Sequence, residues 1–431
     1  MSWAIAVAIA VLAHTAQDPL PASPVTAARL FGDRLQIGGQ VSVLADALPR
    51  LDAVELRPQA AVEAAVRLPG PWRARFEGFA EALVADRGNR VTDAAFRVRE
   101  AWIEAAGARA DVRVGYGRLA WGRLDEIQPS DVINPIDASR FLFDGRSAAR
   151  LAVAFVRGRV FASEGVTIEG VIAPVFRRGV FDELDEASSP FNLTRDLVLP
   201  AETALVTSNV DRRAPKTTLR NVAGGARISA TVGRVDLAVG AFRGWDGFGM
   251  LSFEPVSFVA PAVVGTLVET FPRFTMVAGD FETVIGDWAL RGEAALFTEK
   301  TFAGGSVSGF VRGRALDAGV GFDHGSAGLR VFASVLVHRQ WSEADASIDR
   351  TDVTLVGSVE RQFGRERYLA RVFGAVTPDD RSGFVRGLVV WKARDDVTVD
   401  VSAAAFVGTG EITLGRFHGR DFILTRLRYH W

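Results

Sequence analysis

The sequence predicts an all-β fold: one transmembrane antiparallel β-barrel of about 18 strands, with about 16 as the fallback, short periplasmic turns and long extracellular loops. Three observations predict it. Apolar and polar residues alternate with a period of two over long stretches, the links between those stretches alternate short and long, and the chain closes on a strand that ends in aromatic residues.

The first element is not a strand. Residues 3–13 are an apolar run followed by small and polar residues, in MSWAIAVAIAVLAHTAQDP. That composition matches a secretory signal peptide and is too short to span a bilayer as a helix. No Lys or Arg precedes the run, the first basic residue being Arg29. The expected division is a signal peptide over 1–16, cut after Ala13 or Ala16, a short periplasmic segment over 17–33 and a barrel over 34–431. No other stretch reaches the roughly 20 apolar residues of a membrane helix.

From Arg34 onward the strands begin. In AVELRPQAAVEAAVRLP, Val54, Leu56, Pro58, Ala60, Val62, Ala64, Val66 and Leu68 share one face, and Glu55, Arg57, Gln59, Glu63 and Arg67 the other. In WRARFEGFAEALVAD, Trp72, Ala74, Phe76, Ala80, Ala82 and Val84 oppose Arg73, Arg75, Glu77 and Glu81. Such strands exceed the five or six residues or so of an ordinary sheet and suit the roughly 9 to 11 of a tilted membrane strand. Closure follows from the solvent, because an open sheet edge in hydrocarbon leaves backbone groups without partners. Outward Val, Ala, Leu and Phe are expected to face lipid, with Trp72, Trp288, Trp341 and Tyr368 in the interfacial girdles. Inward Arg57, Glu63, Arg67, Arg73, Arg75, Glu77 and Glu81 read as a ladder of cross-strand charge pairs. Two readings stand for it, a selectivity ladder and plain solvation of a water-filled lumen.

The links set the orientation. Short ones fall at PGP (69–71), SEG (163–165), GR (233–234), GD (286–287), HGSAG (324–328), GRER (364–367) and ARDD (393–396); long ones at 119–146, 179–216, 247–272 and 342–352. The last strand, RDFILTRLRYHW, puts Ile423, Thr425, Leu427, Tyr429 and Trp431 on one face and Arg426, Arg428 and His430 on the other. It resembles the C-terminal signal by which outer-membrane proteins are recognised for assembly, with Tyr429 and Trp431 as its aromatic positions.

One link is unusual. Residues 119–146, dense in Trp, Asp, Asn, Pro and Arg, follow a strand carrying Gly115 and Gly117 and include Gly122. Glycines let another segment approach the wall. A wide barrel conducts freely unless a loop narrows it. An inward fold would make Asp125, Glu126, Asp131, Asn134, Asp137, Arg140, Asp144 and Arg146 the polar set of a constriction. Asp131, Asn134 and Asp137 serve equally as Asx residues holding the loop's own backbone.

The segment 99–137, REAWIEAAGARADVRVGYGRLAWGRLDEIQPSDVINPID, resembles the DUF1302 family of bacterial outer-membrane proteins at Gly117, Arg118, Trp121, Gly122, Asp131, Asn134, Pro135 and Asp137. The resemblance implies a porin-like barrel that handles apolar or lipid-like molecules.

Other classes are excluded by composition. There is no Cys, 50 basic residues nearly cancel 51 acidic ones, and only Lys216, Lys300 and Lys392 are lysines. No nucleic-acid field, disulfide framework or thiolate metal site follows. HExxH, Walker and GxSxG motifs are absent, and His324, His338, His418 and His430 are scattered. Ser334 and His338 share the lumen face but stand about 13 Å apart on a strand, so no enzyme, metal or cofactor is expected. The acidic stretch 182–186 is expected to be a solvated loop. The expected function is a channel in the bacterial outer membrane for passive passage of small solutes. The alternative is a non-conducting barrel that anchors or joins an envelope complex. Expected partners are outer-membrane lipid, the barrel-assembly machinery and a small-molecule solute, with no nucleic acid; oligomeric state is left open.

Overall fold

Period-two alternation becomes a wall with two chemically different faces. The computed structural model describes residues 34–431 except 87–89, 126, 181–203, 260–261, 304–309 and 409–413. The expected signal peptide, the segment 17–33 and the acidic stretch 182–186 lie outside the described residues.

The strands are β1 (Leu35–Leu48), β2 (Ala53–Arg67), β3 (Trp72–Asp86), β4 (Arg90–Ala106), β5 (Ala110–Gly117), β6 (Val153–Ser163) and β7 (Val166–Ala173). There follow β8 (Ala204–Arg213), β9 (Ala223–Val232), β10 (Val235–Trp245), β11 (Met250–Val259), β12 (Ala262–Thr270), β13 (Arg273–Ile285) and β14 (Trp288–Ala303). The last are β15 (Phe310–Ser326), β16 (Leu329–Trp341), β17 (Arg350–Phe363), β18 (Tyr368–Thr377), β19 (Ser382–Lys392), β20 (Val397–Val407) and β21 (Phe422–His430). One helix, α1 (Ala138–Ala149), lies between β5 and β6.

All but β8, β11 and β12 form one closed antiparallel barrel of 18 strands, each paired with its neighbours in chain order. Closure is made by β21 on β1, with Val41 opposite Tyr429. The links at 69–71, 163–165, 233–234, 286–287, 364–367 and 393–396 are tight turns at one rim. At the other rim the alternation is less strict than expected. The links after β1 and β18 are single 3-10 turns, Pro49–Leu51 and Pro378–Asp380, each ended by a left-handed residue, Asp52 and Arg381. The links 179–216 and 247–272 are not simple loops. They contribute β8, β11 and β12, a separate three-stranded sheet in which β8 runs parallel to β12.

The outer face carries Val41, Val43, Val54, Leu56, Val239, Val277, Val372 and Leu427, all exposed where lipid would cover them. Trp72, Trp288 and Tyr368 are exposed at the first residue of their strands beside short turns, a girdle that Trp391 and Tyr429 join. Phe76, placed on the apolar face by its parity, is exposed there with Phe96, Phe322 and Phe363, but many Phe residues lie on the other face. Phe242, Phe274, Phe297, Phe332, Phe373, Phe384, Phe406 and Phe422 are buried, so they point inward. The physical reason is that the lumen is not simply water-filled: a segment of the chain packs inside it and needs apolar surface to pack against.

Candidate functional site

That segment is the link after β5. β5 holds eight residues and ends at Gly117, opposite Val153 of β6. Asn134 clips the neck there. Its Oδ1 accepts from Leu119 N at 2.7 Å, and its Nδ2 donates to the carbonyls of Leu151 at 2.6 Å and Gly117 at 3.3 Å.

Beyond the neck the chain crosses the lumen. Trp121 Nε1 donates to Glu169 of β7 at 2.6 Å. Gly122 has φ +98, and a Cβ on it would stand 2.6 Å from the Glu293 carboxylate of β14. Glu293 then accepts from Arg123 N at 2.9 Å, Leu124 N at 3.2 Å, Ser130 N at 2.6 Å and Ser130 Oγ at 2.7 Å. The Arg123 guanidinium spans Asp280 at 2.8 Å and Glu282 at 3.0 Å on β13, and lies 3.6 Å from Asp236 on β10. Asp125 pairs with Arg291 of β14 at 2.6 Å and lies 3.6 Å from Arg330 of β16, both of which also bind Asp323 of β15. Asp236 and Arg330 follow the short turns by one or two residues, so the tip reaches down almost to the periplasmic rim.

Apolar contacts complete the seating. Leu124 lies against β15 where Gly319 and Gly321 leave room, and with Ile127, Ala138 and Ala149 it joins a buried cluster with Phe332, Leu336, Phe373, Phe384, Phe406 and Phe422. Burial pushes the Asp125 carboxyl above its usual range despite Arg291 and Arg330, and pulls the Arg177 guanidinium below its own. Both sit in links rather than spanning strands, and both are poorly solvated charges that hold to their partners.

The residues read from sequence as a constriction divide into groups. Asp125 reaches the far wall. Asp131, Asn134 and Arg146 are buried in the loop's own scaffold: Asp131 Oδ2 accepts from Arg146 Nε at 3.0 Å and Arg150 Nε at 2.8 Å, and Arg146 also donates to the carbonyls of Gln128 and Asp131. Asp137 pairs with Arg97 of β4 at 3.0 Å. Glu126 and the side chains of Arg140 and Asp144 lie outside the described residues. Sequence reading missed Arg123 and its acceptors Asp280, Glu282 and Glu293, which come together only through the barrel's closure.

The lumen ladder is placed as follows. Arg75 meets Glu63 at 2.8 Å, Arg57 meets Glu55 at 3.0 Å and Glu81 at 3.6 Å, and Gln59 donates to Glu81 at 2.7 Å. Glu77 turns instead to Arg118 at 2.9 Å and Arg99 at 3.6 Å, and Arg73 to Glu104, where Arg113 and Arg157 also converge. Arg67 stands opposite Arg73 and is exposed. Among the described residues no cluster of His, Asp and Glu has the geometry of a metal site.

Between the loop and the wall of β6, β7, β10, β13 and β14 lies a cavity of about 190 Å³. Val132, Ile133, Pro135, Phe176, Phe242, Trp245, Phe248, Phe274 and Phe297 give it an apolar lining, with Asp131, Arg177 and Lys300 among its polar groups. Asp131 Oδ1 is buried without a hydrogen-bond partner among the described residues. Lys300 lies 4.4 Å from the Phe297 ring centroid.

No family model matches the chain, and no curated protein does. Solved structures do. Pseudomonas aeruginosa OpdK with vanillate gives a TM-score of 0.51 at 11% identity, over 92% of this chain and 98% of OpdK. The OpdK structure described without a ligand gives 0.51 at 10%, with the same coverage. Salmonella typhi OmpF with daunomycin gives 0.45 at 8%, over 92% of this chain and 97% of OmpF. The likeness to OpdK concerns the fold, and the fold defines the class: an outer-membrane β-barrel of porin-like architecture. The protein resides in the bacterial outer membrane.

Proposed function

We propose that this porin-like barrel passes small solutes by a route that the inward link, residues 119–146, narrows. The observation that carries the reading is the span of that link, from Gly117 across to Asp280, Glu293 and Arg291 on the opposite wall. The cavity beside it supports a solute with an apolar ring: an engineered apolar cavity of about 150 Å³ accommodates benzene. Arg177 and Lys300 suit an anionic group on that ring, and Asp131 Oδ1 a hydroxyl. OpdK, similar in fold, has been solved with vanillate, an aromatic carboxylate of this kind. The DUF1302 resemblance fits the same apolar reading. Outer-membrane lipid surrounds the barrel, and the assembly machinery is the proposed reader of Tyr429 and Trp431.

Removing residues 120–150 tests the constriction. It leaves Arg118, Leu119, Leu151 and Ala152 to join the paired Gly117 and Val153, a connection of hairpin length. In planar bilayers the deletion variant is expected to conduct several-fold more than the intact barrel. A folded variant with unchanged conductance overturns the reading. The density of ion pairs on the loop favours a second one, a non-conducting barrel serving as an anchor or complex subunit, for which the intact protein shows no conductance at all.

A further inference from the structure

The early end of β5 has a consequence for the wall. β4 pairs with β3 along its whole length, from Trp72 opposite Ala105 to Asp86 opposite Arg90. On its other edge it pairs with β5 only from Ala101 opposite Tyr116 to Ala106 opposite Asp111. Above Ala101, β4 has no strand partner on that edge among the described residues. At a tilt of about 40° each strand residue climbs roughly 2.5 Å, so six pairs close about 15 Å of an apolar band about 25 Å tall. The seam therefore lacks a ladder over roughly 10 Å of hydrocarbon depth, and among the described residues its six pairs are the fewest of any barrel seam, against seven between β6 and β7 and eight or more at the others.

Side chains close it instead. Arg97 of β4 meets Asp137 at 3.0 Å and Arg118 meets Glu100 of β4 at 3.2 Å across it, while beside the seam Arg177 donates to Tyr116 Oη of β5 at 2.6 Å and to the Ala152 carbonyl. Directly behind lies a small void lined by Phe79, Arg97, Asp137, Leu151, Ala152 and Arg177. Arg177 also lines the large cavity, as do Ile136 and Val153, the chain neighbours of Asp137 and Ala152. Outside, a shallow groove of about 710 Å³ follows one hydrogen-bonded row across the lipid face, Tyr429, Val41, Ala60, Ala80 and Phe96. It ends at Phe96, 67% exposed, on the stretch of β4 that is paired with β3 but not with β5.

We propose that the seam between β4 and β5, above Gly117, is a lateral passage by which an apolar solute moves between the cavity and the bilayer. The proposal rests on the reading of the cavity as a solute site and adds the route out of it. A wall held by a ladder cannot part without losing several backbone bonds; one held by Arg97–Asp137 and Arg118–Glu100 parts by exchanging side-chain partners.

The test uses the full chain reconstituted in liposomes, where the lack of native Cys leaves no background. Ala152→Cys places a thiol behind the seam, and Ser358→Cys places one on the lumen face of β17, which is paired on both edges. The probe is N-pyrenyl maleimide partitioned into the bilayer. Ala152→Cys is expected to react several-fold faster than Ser358→Cys, and faster again when Arg97→Gln and Asp137→Asn neutralise the pair together. Leu151→Cys repeats the measurement if Ala152→Cys does not give a heat-modifiable barrel. Reaction no faster than at Ser358→Cys and insensitive to the neutral pair overturns the passage. Conductance of the same protein, read separately, reports on the channel itself, so failure of the seam and failure of the channel are distinguishable.

Discussion

Glu293 shows how one carboxylate fixes a link that its own strand never touches in sequence. Its donors lie 163 to 170 residues earlier in the chain, and three of them are backbone N–H groups that would otherwise be unsatisfied inside the barrel. Gly122 is required for the approach, since its positive φ and the 2.6 Å gap leave no place for a side chain. The sequence shows Gly122 as a permissive position, but nothing local marks Glu293 as its partner, because the pairing exists only once β14 stands across the lumen from β5. Asp131, Asn134 and Asp137 were legible as polar residues of one loop; the geometry favours the backbone-holding reading for Asn134 alone, since Asp131 pairs with the Arg146 and Arg150 side chains and Asp137 with Arg97. Glu293→Ala should leave those donors without an acceptor, at about 1–3 kcal/mol for each buried group, and release the tip. Limited proteolysis of the intact barrel is expected to begin cutting within residues 119–146 while heat-modifiability persists; a loop as resistant as before would mean that Arg123 and Asp125 hold it alone.

At the scale of elements, the terminal strand was readable because its alternation is local. Ile423, Leu427 and Tyr429 are exposed outward and Arg426 and Arg428 buried inward, as their parity requires. The sheet of β8, β11 and β12 was not readable, because β8 joins β12 across a separation of more than fifty residues and Pro255 sits at an irregularity in the β11–β12 pairing. The same strand logic gives a test of closure. Gly39 and Trp431 exchange backbone hydrogen bonds at 3.1 and 3.0 Å, and a Cβ on Gly39 would stand 2.5 Å from the indole and 2.6 Å from the Ala61 carbonyl. Gly39→Val, or deletion of Trp431, should therefore lower the yield of heat-modifiable barrel in the outer membrane. Gly387→Val, where nothing lies within 4 Å of the new Cβ, should not. Equal yields from all three variants would place the assembly determinant away from the β1–β21 seam.

For the whole molecule, alternation of link length set the expected orientation before any pairing was known. The closed barrel of 18 strands agrees with it, bringing the start of β1 and Trp431 to the rim of the tight turns. The strand count was legible because most barrel strands are long and alternate, and the short β5 and β7 are each marked off by a tight turn. What the lumen holds was not, because a charged loop and an aqueous channel both permit Arg and Glu on inward positions, and only the inward Phe residues distinguish them. Orientation is open to direct measurement in a chain without Cys. Ser257 and Ala346 lie in the links of the long-loop rim and Ser326 beside a tight turn, and all three are exposed, so differences in reactivity between them report the side of the membrane rather than burial. Cys placed singly at Ser257 or Ala346 should react with an impermeant maleimide on intact cells, and Cys at Ser326 only after the outer membrane is permeabilised; the same outcome is expected at Ser188, which lies outside the described residues, as at Ser257. Labelling at Ser326 on intact cells with protection at the other sites would invert the barrel, and with it would move the mouth of residues 119–146 to the periplasmic face.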